Sequence, residues 1–104
     1  MKLWVDDVRP APEGYVWSKT VLEAQWMILN YEATYKHTGS PLYKIDVISM
    51  DHDAGDYGPP DYIKLLDWLE ETGRNYPIRI HSQNPVGIAN MRRIIQRNDW
   101  KEVF

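Results

Sequence analysis

The sequence predicts an α/β domain built on a mostly parallel sheet. Segments typical of strands alternate with segments typical of helices, and this alternation implies a mostly parallel sheet with right-handed crossovers. A length of 104 residues suits a single domain, 1–104, with one core. The clearest strand is central in the chain, where apolar Ile45, Val47, Ile48 and Met50 indicate burial on both faces.

The chain opens with a short apolar strand, Lys2-Leu3-Trp4-Val5. Residues Asp7 to Gly14 include two prolines and a glycine, so they form a loop rather than a helix. Tyr15-Val16-Trp17 is a second short strand, typical of a sheet edge. Its direction relative to the first strand stays open, because a loop of this length can return the chain either way.

A helix follows the second strand. Thr20 and Glu23 have the spacing of a capping box, and Gly39 and Pro41 end the helical pattern, so we expect the helix to run to about Tyr35. Its predicted apolar face combines two rows of residues: Leu22, Trp26, Leu29 and Ala33, together with Val21, Ala24, Ile28, Tyr31 and Tyr35.

The second half of the chain predicts two more helices and two more strands. Gly73 ends the second helix of the chain, and Ile78-Arg79-Ile80 is the strand that follows it. Asn84 and Pro85 begin the last helix, and Trp100 to Phe104 is the final strand. The helix before Gly73 has apolar residues at i, i+3, i+4 and i+7, namely Tyr62, Leu65, Leu66 and Leu69.

Acidic and imidazole side chains follow three of the predicted strands. Asp6-Asp7 follows the first, Asp51-His52-Asp53 the central one, and His81-Ser82 the fourth. In a parallel sheet these strand ends share one edge, which is where open α/β sheets bind ligands. The alternatives are that the acids cap turns and that His81 is a hydrogen-bonded core histidine.

Clustered carboxylates favour a hard divalent cation such as Mg²⁺, bound through one or two of them plus water. His52 and His81 titrate near neutral pH and can act as general base and acid. A helix that opens at Asn84 points backbone N–H groups toward the same edge, where a phosphate can bind. Together these groups indicate phosphoryl chemistry.

Composition excludes several classes of protein. With no cysteine, there are no disulfides or thiolate metal sites. A net charge of -3 argues against duplex DNA as a partner, although a small anionic ligand held by local donors is compatible with it. The chain shows neither a signal peptide nor a membrane-length apolar run, so we expect a cytoplasmic protein with no membrane partner.

Three motifs resemble a known family. Asp6, Asp7 and Asp51 are similar to the Mg²⁺-binding acids of response-regulator receiver domains, but this chain lacks the first crossover helix and the Lys after the fifth strand. The departures resemble cyclic-phosphate processing receiver-like domains. The motifs that carry this resemblance are Asp6-Asp7-x-Arg9-x-x-Pro12, Ser49-x-Asp51-His52-Asp53-x-Gly55 and His81-Ser82-x-Asn84-Pro85-x-Gly87, with Asn90-Met91-Arg92 after them.

The resemblance implies a three-layer receiver-like or flavodoxin-like fold with about five strands in the order 2-1-3-4-5. It also implies action on a cyclic phosphate derived from RNA or ADP-ribose. We therefore predict a metal-dependent phosphoesterase that uses Mg²⁺ or Mn²⁺ and binds a small anionic phosphate-containing ligand or an RNA end. The predicted residues are Asp6, Asp7, Asp51 and Asp53 for the metal, His52, His81 and Asp51 for catalysis, and Arg9, Ser82 and Asn84 for the substrate.

Two other functions fit the same residues. One is a non-catalytic receiver-like signalling or nucleotide-binding module in which Asp51 accepts a phosphoryl group; the missing Lys and the two histidines argue against it. The other is a protein-interaction domain with vestigial acids, which predicts no metal binding. The oligomeric state is not predicted.

Overall fold

The computed structural model describes residues 1–51 and 62–104 and contains an all-parallel sheet. The strands are β1 (Lys2–Val5), β2 (Tyr15–Ser18), β3 (Val47–Met50), β4 (Ile78–Ile80) and β5 (Glu102–Val103). Within the described residues, five strands lie in the order β2-β1-β3-β4-β5. The predicted α/β class and strand order are therefore confirmed.

The second strand runs parallel to the first, which settles the direction that the sequence left open. Lys2 lies opposite Tyr15 and Val5 opposite Ser18. A four-residue strand spans about 13 Å, whereas the nine residues 6–14 can span roughly 30 Å when extended. The loop is thus long enough to return the chain to the starting edge without a helix.

Three helices follow the strands in the described part of the chain. They are α1 (Val21–Thr38), α2 (Ile63–Glu71) and α3 (Pro85–Arg97). Helix α1 runs to Thr38, three residues past the predicted end. Gly39 stops it with a left-handed φ of 69°, and its N–H donates to the carbonyl of Tyr35. No helix in the described ranges combines the length and the apolar character that a membrane crossing requires.

These helices cover one face of the sheet. The crossovers from β2 to β3, β3 to β4 and β4 to β5 all move in the same direction across the sheet, so their right-handedness puts α1, α2 and α3 on the same side. The strand residues that pack with the helices in the core alternate along each strand, as expected for one face: Leu3, Val5, Ile48, Met50 and Ile78.

On the opposite face the loop of residues 6–14 takes the place of the missing crossover helix. The indole N–H of Trp4 donates to the carbonyl of Arg9 at 2.9 Å, and the rings of Trp4 and Tyr15 meet edge to face at 5.6 Å. The third layer of the predicted arrangement therefore consists, in the described residues, of this loop.

The apolar face predicted for α1 is divided by the structure. Ala24 and Ile28 are fully buried, whereas the row that begins at Leu22 faces outward. The prediction that both rows contribute to one buried face was wrong, because the sheet and α2 cover only one side of α1.

Candidate functional site

Side chains from three strands meet at the carboxyl edge of the sheet. Strands β1, β3 and β4 are adjacent, with Val5 paired to Met50 and Met50 to Ile80. The backbone N–H of Asp51 donates to the carbonyl of Val5, and that of His81 donates to the carbonyl of Met50, both at 3.0 Å. Because the backbone pairing continues past the strand ends, the first polar residues after β1, β3 and β4 lie side by side. These residues are Asp6, Asp51 and His81.

The imidazole of His81 is held on three sides. Its Nε2 lies 3.0 Å from Oδ2 of Asp6, and its Nδ1 lies 2.9 Å from Oγ of Ser49. The ring stacks on Trp4, with 3.7 Å between ring centroids and 3° between planes. Only 6% of the side chain is exposed. His81 is thus one of the most constrained polar groups at this edge.

Protonation follows from these contacts. Burial lowers the pKa of His81, and the hydrogen bond and charge of Asp6 oppose this effect only in part. A pKa below that of a free imidazole favours the neutral form, which carries one N–H. Because a carboxylate can only accept, the Nε2–H donates to Asp6, and Nδ1 accepts from the hydroxyl of Ser49.

Ser49, His81 and Asp6 are connected in the order of a serine-hydrolase triad. However, Ser49 lies within β3 and is 0% exposed, so its hydroxyl cannot meet a substrate. The three groups satisfy one another's hydrogen bonds in the interior. We conclude that they fix the ends of β1, β3 and β4 relative to each other.

Asp6 organises the loop that follows β1. Its Oδ1 accepts from the backbone N–H groups of Val8 and Arg9 at 2.8 and 2.9 Å, which makes an Asx turn. Its backbone N–H donates to the carbonyl of Ser18, and its carbonyl accepts from the indole of Trp17 at 2.7 Å. The fully buried carboxylate therefore positions the loop.

The other two described acids act on a common neighbour, Tyr62. Asp7 and Asp51 are half-buried. Burial raises the pKa of Tyr62, and the carboxylates of Asp7, Asp6 and Asp51 raise it further. The phenol O–H donates to the carbonyl of Lys19 at 2.6 Å. Three acids from two strand ends thus concentrate negative charge near one phenol.

A divalent cation suits this charge. Mg²⁺ commonly takes one or two carboxylates and keeps several waters, and Asp7 and Asp51 supply oxygen donors of that kind. Among the described residues, no group of three or more histidines or acids is arranged to hold a metal. Asp7 and Asp51 are the described acids that could hold such a cation, with water completing its coordination. The predicted residues His52 and Asp53 lie outside the described residues.

The predicted substrate-binding residues lie around the same edge. Arg9 is exposed, and its Nη1 donates to the carbonyl of His81 at 3.0 Å. Asn84 caps α3 by accepting from the N–H of Gly87 at 3.1 Å, and Ser82 Oγ accepts from the N–H of Asn84 at 3.1 Å. Arg9 is thus tied to the β4–α3 turn, where the amino end of α3 lies.

Sequence reasoning assigned no function to Trp4, Ser49 and Tyr62. Trp4 and Tyr62 resemble ordinary core residues in the sequence, and only the fold brings them to His81 and the acids. Ser49 carried a signal, since it is a polar residue among the apolar residues that end the central strand.

The comparisons with known proteins gave one match. A family described as the cyclic-phosphate processing receiver domain matches residues 1–97. No curated protein and no solved structure is similar enough to this chain to count as a match.

Proposed function

Because the chain belongs to the family of cyclic-phosphate processing receiver domains, we propose that the carboxyl edge of its sheet hydrolyses a small cyclic phosphodiester with Mg²⁺ or Mn²⁺. Water would add across one P–O bond of the ring, which leaves a phosphate monoester and a free hydroxyl. The substrate classes proposed are 2′,3′-cyclic phosphates from RNA and the cyclic phosphate of ADP-ribose.

The observation that carries this proposal is that Asp7 and Asp51 follow two adjacent strands and both act on Tyr62, beside the anchored Asp6–His81 pair. Asp7 and Asp51 would hold the cation, with Asp6 close by, and Asp53 is proposed as a further ligand. The cation would neutralise charge that develops on the phosphate oxygens. Without it, the carboxylates would repel an anionic substrate.

The chain's own residues would bind the phosphate and orient it. The exposed guanidinium of Arg9 has further N–H groups besides the one that donates to His81, and its planar fork suits a phosphate. The amino end of α3 adds a favourable dipole. In this proposal Ser82 and Asn84 shape the turn that presents these donors.

His81 has two roles open to it. Both ring nitrogens are already hydrogen-bonded, which supports a positioning role that keeps Asp6, and through it the Asp7 loop, in place. Proton transfer to water or to the leaving alkoxide is then proposed for His52. A direct acid–base role for His81 would require it to give up one of its two partners.

The first experiment is a substrate panel. Purified protein would be incubated with 2′,3′-cyclic nucleotides and ADP-ribose 1″,2″-cyclic phosphate in the presence of Mg²⁺, Mn²⁺ or a chelator. We expect metal-dependent formation of a phosphate monoester that the chelator stops. No turnover of any of these compounds with either metal would contradict the proposal.

The two roles of His81 are separated by His81→Ala and His81→Gln. If His81 exchanges protons with substrate, both variants should lose turnover by about 10²–10⁴-fold with metal affinity unchanged. If it positions Asp6, His81→Gln should recover activity relative to His81→Ala, because an amide can still bond to Asp6. The pH profile of kcat should then keep its shape.

A receiver-like module with Asp51 as phosphoacceptor is the second candidate. The receiver strand order and the position of Asp51 directly after β3 favour it. The protein would be incubated with a small phosphodonor and its intact mass measured. A stable acyl phosphate that is absent from Asp51→Asn would support this candidate over hydrolysis.

A further inference from the structure

Helix α1 presents a row of apolar side chains to solvent. Leu22 is 75% exposed, Trp26 62% and Leu29 47%, and Ala33 is exposed as well. These four residues are called the α1 stripe below. They lie on the side of α1 that points away from the buried Ala24 and Ile28, and they are not needed for the core or for the carboxyl edge of the sheet.

The spacing of the stripe is that of a helix–helix seam. Its residues follow one another at intervals of four, three and four, which is the a/d pattern of a heptad repeat. A strand or an extended peptide would match a period of two, not this one. The α1 stripe therefore has the pattern of a surface that pairs with another helix.

The charges along α1 favour a second copy of the same helix in antiparallel orientation. The first turn of α1 contains Glu23, and the last turn contains Lys36 and His37. An antiparallel two-fold pair brings the acidic first turn of each helix next to the basic last turn of the other, and the two helix dipoles also oppose. A parallel pair would bring like ends together.

Side-chain sizes fit the same arrangement. When the stripe is centred on a two-fold axis, Trp26 lies opposite Leu29 of the second copy, and Leu22 lies opposite the small Ala33. The surface near the start of α1 has a concavity of about 410 Å³ lined by Thr20, Leu22, Glu23 and Trp26. In this register the aliphatic stem of Lys36 from the second copy lies over that concavity, and its ammonium can reach Glu23.

A like-charge contact in this register is avoided by the fold. Lys19 would face Lys36 of the second copy, but its ammonium lies over the ring of Trp17, 4.7 Å from the ring centroid. The ammonium is thus directed toward β2 rather than across the stripe. Glu23 is left as the charge that faces Lys36.

We infer that α1 is a homodimer interface in which two copies pair their α1 stripes antiparallel. The stripe spans roughly three helical turns, so we expect a modest, concentration-dependent dimer rather than an obligate one. Since α1 begins at the carboxyl end of β2, antiparallel pairing puts the two carboxyl edges at opposite ends of the dimer. Dimerisation and hydrolysis can therefore be tested separately.

The first test is sedimentation velocity over a series of protein concentrations. The wild type should change from monomer to dimer as concentration rises from the low to the high micromolar range. Trp26→Glu and Leu22→Glu should each raise the dissociation constant by at least about tenfold. Leu42→Glu is the matched control, because Leu42 is 77% exposed outside the stripe; this variant should dimerise like the wild type.

The second test distinguishes the orientation of the helices. Lys36→Glu should weaken the dimer, and the double variant Glu23→Lys with Lys36→Glu should restore it, because the swap recreates opposite charges only in an antiparallel pair. Glu23 also belongs to the cap of α1, so helix content and thermal unfolding of each variant would be measured by circular dichroism. Variants that unfold below the assay temperature would be replaced by Glu23→Gln, which should weaken the dimer and keep the cap.

Three results would overturn the inference. They are a wild type that stays monomeric at the highest concentration, a dimer that Trp26→Glu and Leu22→Glu leave intact, and a dimer that the charge swap does not restore although both variants are folded. None of these measurements involves a cyclic phosphate, so failure here and failure of the proposed hydrolysis are distinguishable.

Discussion

Ser49 is a hydroxyl buried in the central strand, and His81 supplies its partner. The hydroxyl donates to Nδ1 of His81, whose other nitrogen donates to Asp6. Burial of a polar group lowers the stability of the fold when the group has no hydrogen-bond partner, and has little effect on stability when it has one. This network therefore makes the polar strand ends compatible with a sheet interior.

Removal of the Ser49 hydroxyl should destabilise the fold. Ser49→Ala leaves the buried Nδ1 of His81 without a donor, which should lower the free energy of unfolding by about 1–3 kcal/mol. Ser18→Ala is the matched control, because Ser18 is also fully buried but its hydroxyl has no hydrogen-bond partner among the described residues.

Urea unfolding of both serine variants measures this difference. We expect a clear drop in the unfolding midpoint for Ser49→Ala and a much smaller change for Ser18→Ala. Equal losses would mean that the hydrogen bond to His81 contributes nothing beyond the packing of a buried serine.

A second residue-scale prediction concerns acid. Burial acts to raise the pKa of Glu32, but hydrogen bonds from Arg74 and Tyr76 outweigh it, so the pKa is lowered overall. The carboxylate meets Arg74 through two N–H groups, at 2.8 and 2.9 Å. A carboxylate whose pKa is lowered by folding stabilises the folded state above the pKa of a glutamate in the unfolded chain, which is about 4. This stabilisation is lost as the pH falls through the lower pKa that Glu32 has in the folded protein.

Glu32→Gln should therefore be less stable than the wild type at neutral pH, and the difference in their free energies of unfolding should shrink at acidic pH. The free energy of unfolding would be measured from neutral to acidic pH for the wild type, Glu32→Gln and the exposed control Glu71→Gln. A difference that stays constant with pH for Glu32→Gln would contradict the assigned cause.

At the scale of the element, α3 shows how local signals become structure. Asn84 and Pro85 predicted its start, and Asn84 caps the helix as expected, with its side chain accepting from Gly87. The same residue was also predicted to bind substrate, which the capping bond neither requires nor prevents.

Two variants of Asn84 separate the cap from the ligand. Asn84→Ala should lower the free energy of unfolding by about 1 kcal/mol, because α3 loses its cap. Asn84→Ser keeps a capping oxygen and removes the side-chain amide, so stability should be largely retained. If the amide binds substrate, Asn84→Ser should still raise KM for the cyclic phosphate; an unchanged KM would limit Asn84 to capping.

Local sequence predicted only part of helix α1. Its start was predicted correctly, since Thr20 Oγ1 accepts from the N–H of Glu23 at 3.0 Å. Its buried face was not predicted correctly, because apolar residues occur on both sides of the helix. The choice between Ile28 and Trp26 as core depends on where the sheet and α2 lie, which no pattern within α1 specifies.

At the scale of the whole molecule, topology explains both the successes and the gaps of prediction. Alternating strands and helices predicted a mostly parallel sheet, and the family resemblance implied the strand order. Together they predicted that the acids and the histidine would meet at one edge. The partners of His81 could not be predicted, since Ser49 and Asp6 are 32 and 75 residues away in the chain. Contacts of that separation are set by side-chain packing rather than by local sequence.

The central claim is that Asp7 and Asp51 form a metal-dependent site for cyclic phosphates at this edge. The most direct test measures Mn²⁺ affinity and cyclic-phosphate turnover together for the wild type, Asp51→Asn and the exposed control Asp67→Asn. We expect Asp51→Asn to weaken Mn²⁺ binding and abolish turnover at once, because one carboxylate leaves the coordination shell, while Asp67→Asn matches the wild type. Turnover that survives in Asp51→Asn, or is lost while Mn²⁺ binding is unchanged, would contradict the claim.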